Sequence, residues 1–137
     1  MGIQKQEFYE GAALHQIVRN GRGALFKHVA PVFILDDRIQ LHLKYSTKNR
    51  SPWGFTFTAD EQLVLHELAG EMALVMGLIC GSDGIATVRF EDYSKIAAIR
   101  NTSIRVSCFR KHREHFEVCG PDGTISRKIP PSDWQRV

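Results

Sequence analysis

Between Ile39 and Ser46 polar and apolar residues alternate: Gln40, His42, Lys44 and Ser46 interleave with Ile39, Leu41, Leu43 and Tyr45. Strict alternation predicts a strand with one core face and one row of polar groups, spaced about 7 Å apart in steps of two residues. An ammonium, an imidazole and a hydroxyl on one face can hold a phosphate, with Lys44 as point charge and His42 and Ser46 as hydrogen-bonding groups. The same row also fits the solvent side that any half-buried strand presents. Downstream, Lys44, Lys48 and Arg50 mix with Tyr45 and Trp53. Cations there would neutralise phosphates, and exposed rings would stack on unpaired bases; as an alternative, the rings anchor the loop. Arg105, Arg110, Lys111 and Arg113 form a second basic cluster. Its hairpin also carries Cys108, His112, His115 and Cys119, four side chains of zinc-ligand type but without the spacing of a zinc finger.

The elements that would carry these residues follow from periodicity. Phe8, Ala12, Leu14, Ile17 and Val18 predict a helix over about 4–19, stopped by the Gly-rich run after Asn20. Extended stretches are expected at 24–29, 32–35, 39–46 and 53–57, with a turn at Asp36-Asp37-Arg38. If Asp36 and Asp37 form that turn, His42 lies opposite about Pro31 and Lys44 opposite about Val29. Thr58-Ala59-Asp60-Glu61 has the capping-box form and opens a second helix that ends near Gly70. The apolar run 73–80 reads as a strand buried on both faces, a natural parallel partner for 39–46. Beyond it come a strand at 85–90, a short helix at 91–99, a hairpin of 103–109 with 114–119, and a strand at 124–129. The expectation is one α/β domain over residues 1–137: a mixed sheet with flanking helices from about 4–80, then a strand-rich addition including a C-terminal β-hairpin from about 85–129.

Helix, three strands, helix, strand, with Lys44 on the third strand, resembles the PD-(D/E)xK nuclease superfamily, the restriction-endonuclease-like fold with its αβββαβ core. Lys44 matches the lysine of the carboxylate-x-Lys signature, while His42 stands where the carboxylate would be. The resemblance implies a metal-dependent phosphodiesterase: Glu10 and Asp37 would hold Mg2+ or Mn2+, Lys44 would stabilise developing charge, and His42 would accept a proton. Glu7 shares the first helix with Glu10. Because His42 replaces an oxygen ligand, the implied site is altered or lost, and the expected function is DNA or RNA binding through Lys44, Ser46, Lys48, Arg50, Trp53, Arg110, Lys111 and Arg113.

Composition narrows the field. The chain has 137 residues, 43% hydrophobic and 24% charged, enough to build one packed core. The run from Met72 to Cys80 falls short of the roughly 20 residues of a membrane helix, so no membrane role is expected. Three widely spaced cysteines favour reduced thiols and a cytoplasmic location. No Walker loop, GxGxxG or nucleophile elbow occurs. Net charge is +3, divided as +4 over 1–58, −6 over 59–94 and +5 over 95–137. That polarity allows self-association or membership of a larger complex. It also supports the alternative of a non-catalytic protein-interaction module whose acidic section meets a basic partner.

Overall fold

The computed structural model describes residues 2–19, 26–111 and 114–130. In chain order the elements are α1 (Lys5–Arg19), β1 (Phe26–Val29), β2 (Val32–Leu35), β3 (Ile39–Ser46), β4 (Trp53–Phe57), α2 (Ala59–Ala69), β5 (Ala73–Cys80), β6 (Gly84–Arg89), α3 (Phe90–Ile96), β7 (Ile104–Phe109), β8 (Glu117–Gly120) and β9 (Gly123–Thr124). They build two sheets. One is mixed, in the order β1-β2-β3-β5-β6; the other, β4-β7-β8-β9, is antiparallel. The protein is a single α/β domain.

The polar–apolar alternation of β3 has the meaning expected of it on one side only. Leu41 and Leu43 join Val75, Ile79 and Ile85 in a core covered by Ala13, Tyr9 and Leu14 of α1. On the opposite face, Leu74, Met76, Leu78 and Cys80 of β5 meet Trp53, Phe55 and Phe57 of the second sheet, with Leu65 of α2 and Tyr93 of α3. The interior strand β5 is thus buried on both faces, which is why its sequence is continuously apolar rather than alternating. β3 and β5 run parallel from Ile39↔Ala73 to Ser46↔Cys80. The crossover between them contains β4, which leaves for the second sheet, and then α2.

α2 begins as its sequence predicts. Thr58 accepts a hydrogen bond from the Glu61 N–H at 3.1 Å, and the Glu61 side chain reaches back to the Thr58 N–H at 3.3 Å. Gln62, fully buried, donates to the carbonyls of Phe57 and Thr102 and accepts from the Arg100 N–H. The bond to Phe57 ties α2 to the end of β4, and the other two tie it to the segment that leads into β7.

Three expectations change. The β2–β3 register is Phe33↔Leu41 and Leu35↔Ile39, one residue away from that expected, because the turn spans Asp36, Asp37 and Arg38 and closes by Arg38 N–H to Leu35 carbonyl. The final strand shrinks to Gly123–Thr124, and its continuation stays on the sheet through the Ile125 N–H donating to the Val118 carbonyl and through the Phe116↔Ile129 bridge. The short helix ends at Ile96, three residues early, where Ala97 leaves the helical region. Among the described residues no helix is long and apolar enough to cross a membrane.

Candidate functional site

α2 lies across Gln40, His42 and Lys44, so this part of the polar row of β3 is not a solvent face. Gln40 is buried and donates to the carbonyls of Leu68 and Met72, where α2 ends and the chain turns into β5. Next in the row, His42 is 6% exposed. Its Nδ1 is 2.9 Å from the Pro31 carbonyl oxygen and its Nε2 is 2.8 Å from Glu61 Oε2. A carbonyl oxygen and an ionised carboxylate both accept, so each ring nitrogen of His42 faces an acceptor. Lys44 follows: its Nζ donates to Glu61 Oε2 at 2.8 Å and Oε1 at 3.1 Å, and sits 4.6 Å from the centre of the Phe57 ring.

Glu61 is therefore the shared partner of His42 and Lys44 and also the second half of the helix cap. Burial alone would raise its carboxyl, but the hydrogen bonds and charges of His42 and Lys44 outweigh burial and hold it down at about 2. Sequence reasoning assigned Glu61 only to the cap. A carboxylate three residues into a helix that crosses back over a strand carrying His and Lys was the available signal; what was missing was the side of the strand on which the crossover packs.

This arrangement corrects the roles expected of β3. Both His42 nitrogens are engaged, one by the Pro31 carbonyl and the other by Glu61, rather than turned toward a substrate. The Lys44 ammonium is turned inward onto Glu61 rather than toward a ligand. The expected metal pair does not assemble either. Asp37 lies at the β2–β3 turn, exposed, with Lys27 Nζ 3.2 Å from its carboxylate. Glu10 accepts from Gln6 and lines a hollow of about 540 Å3 with Glu7, His28, Pro31, His42 and Tyr45, far along β3 from that turn. Among the described residues no group of three or more His, Cys, Asp or Glu side chains is placed to hold a metal ion. The residues present do not fit the divalent cation that the resemblance implies: both Glu61 oxygens and both His42 nitrogens are already engaged.

Among the described residues, the cysteines and histidine of the hairpin do not converge on one point. Cys108 pairs with Val118 and Cys119 with Ser107, so the two thiols lie on opposite faces of the sheet. A hydrogen bond with Cys80, together with burial, pushes the Cys108 thiol well up and keeps it neutral. His112 lies outside the described residues, as does Arg113 of the basic cluster.

A second region gathers what the sequence kept apart. Ser51 Oγ accepts from the Arg110 N–H at 3.0 Å, joining the loop after β3 to the end of β7 across 59 positions of chain. Gly81, at φ 56°, brings the β5–β6 turn against the same loop: its N–H donates to the Ser46 carbonyl, and a Cβ there would lie 2.3 Å from the Lys48 carbonyl oxygen. The result is an open cleft of about 530 Å3 lined by Asn49, Arg50, Ser51, Trp53, Asp83, Arg110 and Lys111. Arg110 is fixed at its floor. Its guanidinium donates to the Asp83 carboxylate at 2.6 Å and to the Glu114 carbonyl at 2.6 Å, and lies over Phe116. Arg50 and Lys111 are exposed and make no ion pair among the described residues. Lys48 is exposed beside them. Ser46 ends β3 next to this cleft.

The rings expected to stack on bases do otherwise. Trp53 is 2% exposed, and its indole N–H donates to the Lys48 carbonyl at 3.0 Å, so it anchors the loop from inside. Tyr45 stacks on Tyr9 of α1, centroids 4.8 Å apart and planes 6° from parallel. An aromatic residue that is hydrophobic on its body and polar at one edge is drawn to the core rim, where both demands are met.

Comparison with known proteins adds no relative: no family model, curated protein or solved structure matches the chain.

Proposed function

We propose that the protein binds nucleic acid by its phosphate backbone, through the cleft between the 47–52 loop and the end of β7. The reading retains the resemblance to the nuclease superfamily with its catalytic position altered: the His42, Lys44 and Glu61 cluster occupies that position and serves the packing of α2. One observation carries the proposal. Two basic clusters about 60 residues apart in sequence meet in one open cleft, with Arg50 and Lys111 unneutralised and Asn49 and Ser51 between them. Unpaired cations over a groove with amide and hydroxyl groups suit phosphate oxygens, and their affinity arises from counterion release.

The test is fluorescence anisotropy with a labelled duplex at stepped salt. Replacing Arg50 and Lys111 together by Ala is expected to flatten the slope of log affinity against log salt by about 1.8, at about 0.9 per phosphate contact. An unchanged slope overturns the cleft as the binding surface. A protein-interaction module is the second reading, and it too has an observation: α2 turns Leu63 and Val64 outward between Asp60 and Glu67. Retention on heparin at moderate salt separates the two, since only the cleft reading requires it.

A further inference from the structure

On the other side of the β5–β6 turn from the cationic cleft lies an apolar hollow of about 320 Å3, between α1 and the ends of β5 and β6. Phe8, Tyr9, Ala12 and Ala13 form its helical wall, and Ile79 and Ile85 form its floor. It is open because the helix presents alanines there. Phe8 is 62% exposed at its mouth, an aromatic ring left in water although the core of α1 lies one residue away at Tyr9. The two hollows share one turn. Gly81 and Ser82 border the apolar one, while Asp83 borders the cleft and holds Arg110.

From this juxtaposition we infer that the ligand is single-stranded nucleic acid, one unpaired base seated in the apolar hollow against Phe8 while the adjoining backbone crosses the turn into the cleft. The inference rests on the cleft reading given above and deepens it. A cationic groove alone accepts duplex and single strand alike, because both present phosphates. An aromatic face beside an apolar recess discriminates, because only a base free of its partner can turn into it, and every base has a face to stack. The hollow has the size of a small-molecule site, with Ser82 at its edge.

Three labelled probes of equal length decide it: a single strand, its duplex, and an abasic single strand with the same phosphates. The natural chain should bind the single strand more tightly than the other two. Phe8→Ala should weaken single-strand binding about fivefold or more, the effect of one lost base–aromatic stack, and leave the abasic probe unchanged. Phe8 is exposed, so its removal does not threaten folding. Equal affinity for duplex and single strand, with Phe8→Ala silent, overturns the base pocket and leaves the cleft standing. Failure of all three probes and of heparin to bind at low salt overturns the cleft and this inference together.

Discussion

Two places in this molecule concentrate cations, and they treat them in opposite ways. In the cluster under α2, His42 and Lys44 share one carboxylate, which holds both side chains. In the cleft, Arg110 is held by Asp83 while Arg50 and Lys111 project with no counter-charge among the described residues. The same residue types thus give a brace in one place and a binding surface in the other. What separates them is whether an anion from a different element arrives at the site. Glu61 arrives because the capping box fixes the first turn of α2 directly over β3. Asp83 reaches only the innermost cation of the cleft.

The sharpest way to break this contrast is to remove the shared anion. Glu61→Ala takes away half of the cap and leaves the partly buried Lys44 ammonium and the buried His42 ring without their shared acceptor, so it should cost about 2–4 kcal/mol in urea unfolding. A loss under about 0.5 kcal/mol would mean that the cluster braces nothing. Removing one cation tests the other half of the contrast. Lys44→Met keeps the stem against Phe57 and leaves Glu61 with His42 and the cap, so the expected loss is smaller, about 1–2 kcal/mol. Its salt slope for nucleic acid should match that of the natural chain, whereas the Arg50 and Lys111 double replacement lowers it. A fall of about 0.9 for Lys44→Met would place this lysine on phosphate after all.

Acid gives the gentlest probe. The Glu61 carboxyl drops from its ordinary 4.5 to about 2 in the folded chain. A group with a depressed folded value stabilises fully above its unfolded value and loses that contribution as pH falls. The unfolding midpoint should therefore decline between about pH 4.5 and pH 2, and Glu61→Gln should remove that part of the decline. Because the Glu61 side chain is about one-fifth exposed, solvent screening keeps the effect below that of deleting the residue. Identical acid profiles for the two chains would show that other carboxylates carry the loss.

Local signals are legible along much of the chain. The capping box, the alternation of β3 and the continuous apolarity of β5 each report the surroundings of a single element, so each can be read from the residues alone. The parallel pairing of β3 with β5 follows from one further step, the helix that must lie between parallel strands. The candidate site is legible in its parts and not in its assembly. Lys44 and His42 stand out as residues, and Arg50 and Lys111 as members of basic clusters, but nothing local distinguishes the closed pair from the open one. Trp53 shows the limit in one residue: beside cations its indole reads equally as a stacking surface and as an anchor, and only burial with its N–H on the Lys48 carbonyl decides.

By itself, the sequence determined which segments are strands and helices, where the capping box opens α2, which faces are apolar, and that cations are plentiful at both ends of an acidic middle. Those properties depend on neighbours within a few residues, through hydrogen-bond closure and side-chain periodicity. Tertiary structure decided which cations remain available. Neutralisation depends on a partner charge within a few ångströms, and Glu61 reaches Lys44 across 17 positions while Ser51 meets Arg110 across 59. Coulomb energy falls with distance in space and takes no account of separation along the chain, so the pairing of charges is settled only when the sheets and α2 have packed.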